Sequence, residues 1–240
     1  MRYAVLGDVH GNLPALEAVL EDIESVGVDS ILSVGDLVGY GAYPQQCLDH
    51  SREHFHCSVS GNHDCGATGR MDLTYFNADA RDAITWTDGQ LTELDRNYLA
   101  DLPLSAEFDG LGLVHSSPHF PENFPYIQTL YDAELAFSRL QQDIGFVGHS
   151  HVPIIFINSD PVDYFLVSHF DLPRNRQVIV NVGSVGQPRD LDSRACYALL
   201  DTEAGKLHIR RVGYDIDMAA EKIREVGLPE TNAQRLYWGR

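Results

Sequence analysis

The chain has 240 residues, 44% of them hydrophobic, and carries 35 acidic against 17 basic side chains for a formal net charge of −18. No run approaches the roughly 18–20 apolar residues of a membrane-spanning helix, and the apolar content is enough for a sizeable core, which excludes disorder over most of the length. The acidity argues against nucleic acid and anionic membranes as partners. The four cysteines, Cys47, Cys57, Cys65 and Cys196, form no C-x-x-C pair and have the wrong spacings for a thiolate zinc site. Met1-Arg2-Tyr3 runs straight into a strand-like segment with no secretory signal, so the expectation is a reduced, cytoplasmic protein.

Strand and helix patterns alternate along the first hundred residues. Tyr3–Gly7 reads as a short buried strand. Leu13–Val26 follows as a helix, with Leu13, Leu16, Leu20, Ile23 and Val26 on one face, Pro14 in its first turn and Gly27 at its end. Ser30–Val34 and Phe55–Ser60 read as the second and third strands, and each of the three runs into a loop rich in Gly, Asp, Asn and His. The stretch Tyr75–Leu102 predicts two helices broken near Gly89, with Thr92 and Asp95 as a capping pair.

Beyond residue 103 strands dominate: Ser105–Asp109, Leu111–His115, Gly145–Gly148, Val152–Ile157, Gln177–Val182, Ala195–Asp201 and Leu207–Val212. Glu203-Ala204-Gly205 turns between the last two, and Arg174 and Arg176 read as a hairpin turn. Helices are expected within Tyr131–Gln142 and Ile216–Val226. No repeat or linker interrupts the pattern, so the expectation over 1–240 is a single α/β domain of two sheets with helices packed outside them. The region 65–130 reads either as a helical cap over an active site or as ordinary outer helices.

Five fragments carry the chemistry: Asp8-Val9-His10, Gly35-Asp36, Gly61-Asn62-His63-Asp64, His115, and Gly148-His149-Ser150-His151. At this composition Asp-x-His arises by chance about once and Gly-Asp about twice, so neither means anything alone. Gly-His-x-His is expected about 0.04 times and Gly-Asn-His-Asp about 0.003 times. Both occur here at the ends of strand-like runs. Ligands of open α/β sheets bind outside the carboxyl ends of the strands, and five strands deliver Asp8, Asp36, Asn62, His115 and His149 to one such edge. If the segments stay extended, residues i and i+2 point the same way, which takes His10 with Asp8 and His151 with His149. Carboxylate, imidazole and amide oxygen together suit transition ions such as Mn, Fe, Zn, Co or Ni. Seven ligands exceed one tetrahedral zinc and suit two divalent or trivalent ions sharing a bridging carboxylate.

This series resembles the calcineurin-like metallophosphoesterases. The flanking stretches Asp8–Asn12, Gly35–Gly41 and Gly183–Asp190 resemble a prokaryotic branch of small predicted phosphodiesterases. The resemblance implies a four-layered α/β/β/α sandwich of two mixed sheets with the metals between them. It implies one ion on Asp8, His10, Asp36 and His151, and a second on Asp36, Asn62, His115 and His149, with Asp36 bridging. It makes His63 the catalytic histidine and Asp64 the carboxylate that orients it. One departure stands out: many family members read Gly-Asp-x-x-Asp, whereas here the last position is Gly39. Two carboxylates against two divalent ions leave the centre positive, which attracts a phosphate and favours attack by a bridging hydroxide.

The expected activity is therefore hydrolysis of a small phosphodiester or phosphomonoester. A diadenosine-polyphosphate hydrolase and a protein serine/threonine phosphatase are alternatives, the second weakened by the short chain. A non-catalytic metal-binding interaction scaffold is the alternative of another class, opposed by the presence of His63 with all seven ligand types. Outside the series, His50, His54, His56, His169 and His208 read as ordinary histidines. His119, in the Ser116–Tyr126 loop, offers either a wall of the substrate mouth or plain surface. Arg189 offers either a contact to a substrate phosphate or an ion pair with Asp190 or Asp192. Cys65 has no base near it in sequence and reads as an inert thiol.

Overall fold

A computed structural model describes residues 1–240. The apolar runs become strands β1 (Arg2–Leu6), β2 (Ser30–Ser33), β3 (Cys57–Ser58), β4 (Ser105–Phe108), β5 (Leu111–Val114) and β6 (Ile144–Val147). They continue with β7 (Ile154–Ile157), β8 (Asp163–Phe165), β9 (His169–Asp171), β10 (Val178–Asn181), β11 (Ala195–Asp201) and β12 (Lys206–Val212). The helices are α1 (Leu13–Val26), α2 (Pro44–His54), α3 (Asn62–Ala67), α4 (Ala78–Gln90), α5 (Glu93–Asp101), α6 (Leu130–Phe137), α7 (Ile216–Glu225) and α8 (Glu230–Trp238).

Two mixed sheets of six strands result, ordered β3-β2-β1-β11-β12-β9 and β4-β5-β6-β10-β7-β8. Alternation along each central strand sorts side chains into separate layers. On β1, Ala4 and Leu6 face α1, joining Leu16, Val19 and Ile23. Tyr3 and Val5 face the other sheet, joining Leu113, Phe146 and Val180. On β10, Val178 and Val180 enter that central layer, while Ile179 turns outward to Ala133, Ala136 and Phe137 of α6. The order is therefore helix, sheet, sheet, helix, as the resemblance implied. No helix is long and apolar enough to cross a membrane.

Local signals set several boundaries. Asn12 Oδ1 accepts from Ala15 N at 3.3 Å and caps α1, and Gly27 closes it at φ 74°. The Thr92–Asp95 pair caps α5 reciprocally, although the break before it falls at Leu91, after Gly89 has finished the last turn of α4. Helices α2 and α8 and the three-residue strands β8 and β9 have no counterpart in the sequence reading. The expected strand at 55–60 keeps only Cys57–Ser58, because β3 is an edge strand paired through Leu32 and Ser33 alone. Arg174 and Arg176 do not occupy a hairpin: they lie in the crossing from β9 in the first sheet to β10 in the second.

Strands β1 and β2 run parallel, as do β5 and β6. The loops after their carboxyl ends carry Asp8, Asp36, His115 and His149, which sets the site at one end of the two sheets.

Candidate metal centre

The residues singled out in sequence converge. Asp8, His10 and His151 form one trio and Asp36, His115 and His149 another, each with donor atoms within 4.8 Å of one another. In the first, His151 Nε2 lies 3.1 Å from Asp8 Oδ1 and 3.1 Å from His10 Nε2. In the second, His115 Nε2 lies 3.3 Å from Asp36 Oδ2, 3.1 Å from His149 Nδ1 and 3.2 Å from Asn62 Oδ1. Asp36 joins the trios, since the same Oδ2 is 3.6 Å from His10 Nε2. All seven residues are buried.

The backbone that brings them together is not extended. Asp8, His10, Asp36, His149 and His151 all adopt positive φ, between 50° and 67°. The expectation that i and i+2 share a direction on an extended segment is thus corrected: left-handed turns after the strands re-aim these side chains. The strained loops are laced together, with Asp8 N donating to Gly35 O and His10 N to Asp36 O, both at 2.9 Å. Glycine is needed where they touch. A Cβ on Gly61 would stand 2.0 Å from Asp36 Oδ1, and one on Gly148 would stand 2.3 Å from Asp8 Oδ2.

Ring orientation is fixed from behind. Nδ1 of His10 faces Val38 O at 3.1 Å, that of His115 faces Val34 O at 2.9 Å, and that of His151 faces Gln187 O at 2.6 Å. A carbonyl only accepts, so each Nδ1 carries a proton and each ring turns its Nε2 inward. Two carboxylates, an amide oxygen and the inward-facing ring nitrogens crowd acceptor atoms together, and a cation relieves that crowding. The donor chemistry fits borderline transition ions.

Electrostatics set the rings apart. Burial pushes the His10, His149 and His151 imidazoles down. Burial acts on His115 too, but the charge and hydrogen bond of Asp36 outweigh it and lift that ring to about 9. Burial opposes the Asp36 charge as well, yet His115 and His63 hold its carboxyl well below the usual range.

His63 N donates to Asp36 Oδ1 at 2.8 Å, and its ring packs 4.7 Å from His10 and 4.5 Å from Tyr40. Burial pushes this ring down to about 4. Its Nδ1 has no hydrogen-bond partner. Gly39 leaves the ring its space, since a Cβ there would stand 2.4 Å from His63 Nδ1. Asp64 does not orient His63, contrary to expectation. Its oxygens accept from the backbone N–H of Asp36, Leu37, Val38 and Gly61 at 2.9–3.2 Å. It therefore fastens the Asp36 loop to the Gly61 turn. Burial and the Asp36 charge push its carboxyl up to about 7 against the pull of those donors.

A cavity of about 270 Å³ opens onto Asp36, Asn62, His63, His149 and His151. Its walls include Tyr40 and Arg189 on the ligand loops, Tyr75 and Phe76 before α4, and Phe124 and Tyr126 after β5. The 116–126 loop thus borders the cavity through Asn123, Phe124 and Tyr126, whereas His119 packs on Phe120 at 4.3 Å and is not among the lining residues. The four cysteines are free, and burial raises the Cys65 thiol. His50 stacks on His54, and His169 packs at a tilt on His208. Tyr40 and Gln187 were missed in sequence. Both lie inside the family-like stretches, Gly35–Gly41 and Gly183–Asp190, which are the signal that could have found them.

Known proteins bear on this centre. The chain is 40% identical over 242 residues to the uncharacterized protein MJ0912 of Methanocaldococcus jannaschii, covering 99% of this chain and 98% of that one. It is 23% identical over 211 residues to phosphodiesterase YfcE of Escherichia coli, covering 85% and 89%. The crystal structure of a metallophosphoesterase from Sphaerobacter thermophilus superposes with a TM-score of 0.89 at 38% identity, over 100% of this chain and 99% of that one. The family model for the calcineurin-like phosphoesterase superfamily domain matches residues 1–205. With the sandwich fold and the buried His/Asp clusters, that match places the chain in the calcineurin-like phosphoesterase superfamily as a metal-dependent hydrolase of phosphoric esters.

Proposed function

We propose that the chain hydrolyses a small phosphodiester or phosphomonoester at a two-ion centre. Asp8, His10, Asp36 and His151 would hold one ion, and Asp36, Asn62, His115 and His149 the other. The observation that carries this reading is the shared position of Asp36 Oδ2, 3.6 Å from His10 Nε2 and 3.3 Å from His115 Nε2. Two divalent ions bound there would supply Lewis acidity toward the phosphoryl oxygens and lower the pKa of a water for in-line attack. His63, on the cavity wall, donates a proton to the leaving oxygen. Burial disfavours its charged form, and a phosphoryl anion entering the cavity raises its proton affinity toward what that role needs. Asp64 keeps the Asp36 loop in register by holding its backbone N–H groups.

The cavity suits a small ester. Its lining has one guanidinium, that of Arg189, and no lysine. That matches one phosphoryl group better than a polyphosphate chain, which argues against the diadenosine-polyphosphate reading. The aromatic walls and the Asn77 and Asn123 amides would take the organic part. The test is hydrolysis of bis(p-nitrophenyl) phosphate against p-nitrophenyl phosphate by manganese-loaded protein, with metal counted by elemental analysis. Turnover of the diester, reduced about 10²–10⁴-fold in His63→Ala at unchanged metal content, is the expected result. No turnover of either ester with two ions bound would instead favour the interaction scaffold.

A further inference from the structure

Arg189 is the one fixed cation of the cavity, and nothing in the chain neutralises it. The two carboxylates nearest it in sequence are already engaged. Asp190 pairs with Arg211, and Asp192 pairs with Arg194 at 2.6 Å. Arg189 itself forms no ion pair, in a chain with twice as many acids as bases. Its Nη2 donates to Gln187 Oε1 at 2.8 Å, and its guanidinium lies 5.5 Å over the ring of Tyr40. Its Nε is buried without a partner. A guanidinium held on two sides and left without an anion is a costly arrangement unless a ligand completes it.

The fastening also ties Arg189 to the centre. Its backbone N donates to His151 O at 3.2 Å. Gln187, which holds the guanidinium through its side chain, holds the His151 ring through its carbonyl at 2.6 Å. Tyr40, under the guanidinium, also packs on His10 and His63 at 4.7 and 4.5 Å.

We propose that Arg189 is the phosphate-binding residue of this site, its free guanidinium edge donating to a non-bridging phosphoryl oxygen of the substrate. The inference rests on the hydrolytic reading above and assigns the anion that reading needs. Gln187 and Tyr40 are then positioning residues that keep the guanidinium from folding back onto the acidic surface.

Orthophosphate tests this independently of turnover. Manganese-loaded wild type, Arg189→Met and Arg189→Lys are titrated with orthophosphate by calorimetry, with metal content and thermal midpoint measured on the same samples. The expected result is two ions in all three proteins and orthophosphate binding weakened roughly tenfold or more in Arg189→Met. Arg189→Lys, which keeps the charge without the planar fork, recovers part of that loss. The KM for bis(p-nitrophenyl) phosphate rises in parallel. Unchanged orthophosphate affinity in Arg189→Met with both ions bound would overturn the proposal and leave Arg189 a packing residue on Tyr40. Loss of an ion in both variants would also overturn it, since the residue would then support the metals instead. Inactive wild type that still binds orthophosphate through Arg189 would refute the hydrolytic reading and leave the phosphate contact standing.

Discussion

The two halves of the centre are built differently. In the Asp8–His10–His151 half every residue sits at positive φ, and both rings are pinned by backbone carbonyls of Val38 and Gln187. In the other half only His115 is pinned that way, by Val34 O. His149 instead turns Nδ1 inward and stacks on Tyr126 with ring centroids 4.0 Å apart and planes 18° apart. Tyr126 is 45% exposed, and Asn62 and His149 are the two most exposed candidate ligands at 8% each. One half is therefore a closed cradle whose geometry comes from the main chain. The other meets the cavity through Asn62, His149 and the shared Asp36, where the first meets it through His151 alone, and it borrows rigidity from an exposed aromatic. Preorganised donors lose less freedom on binding, so the closed half should hold its ion more tightly.

The largest expected effect comes from the residue the halves share. Asp36→Asn removes the charge between them, so both ions should be lost on dialysis. Turnover should fall by more than about 10³-fold, the upper end of what one stabilising donor contributes. Elemental analysis reads the ions directly. Retention of one full equivalent would mean that the closed half does not depend on Asp36, and the bridge would be wrong.

Next is Asp64→Ala, which removes no candidate ligand from either half. It strips the acceptor from buried N–H groups of Asp36, Leu37, Val38 and Gly61. Each such loss costs about 1–3 kcal/mol. Even one or two of them should lower the thermal midpoint by roughly 5–10 °C in a chain of this size. Metal affinity should fall about 10–100-fold in both halves together, as for other outer-shell partners. A midpoint within 1–2 °C of wild type would show that the Asp36 loop holds its own shape.

Much of this arrangement was legible in the sequence, and what was not has physical reasons. Helix α1 was bounded correctly because its stripe, Pro14 and Gly27 agree on the same limits. Helix α2 is not legible, because its buried residues Pro44, Cys47, Leu48 and Ser51 have helical spacing but only Cys47 and Leu48 among them are plainly apolar. Strands β8 and β9 are three residues each and mostly exposed, so they show no alternation. In the centre, residue types and spacing were enough to gather seven donors. Main-chain torsion was not legible: nothing in Asp-Val-His announces φ near +50° at both ends. Nor was the true partner of Asp64, because a carboxylate beside a histidine in sequence gives no hint that four backbone amides will reach it first. Arg189 has two readings in sequence, and its ion-pair reading falls because Asp190 and Asp192 pair with Arg211 and Arg194.

The difference between the halves can be sharpened by removing the ions stepwise. A chelator should strip wild type in two phases, with the cavity-facing ion leaving first. His149→Ala should abolish the fast phase and keep the slow one, and His151→Ala should do the reverse. A single phase in wild type would make the halves equivalent despite their different construction.

The smallest change is the most specific to the comparison. Tyr126→Leu keeps an apolar side chain at the cavity mouth but removes the flat surface against which His149 stacks. An aromatic pair of this kind contributes about 0.5–1.5 kcal/mol beyond its buried area. The fast chelator phase should therefore quicken by only about 2–10-fold, and the slow phase should not move. Tyr126 also lines the cavity, so a change in KM alone would report lost substrate contact and say nothing of the ring. The two chelation rates separate these roles, because substrate is absent when they are measured. Equal acceleration of both phases would mean that Tyr126 braces the whole centre through its loop. The contrast between a main-chain cradle and a side-chain prop would then fail at the residue on which it most depends.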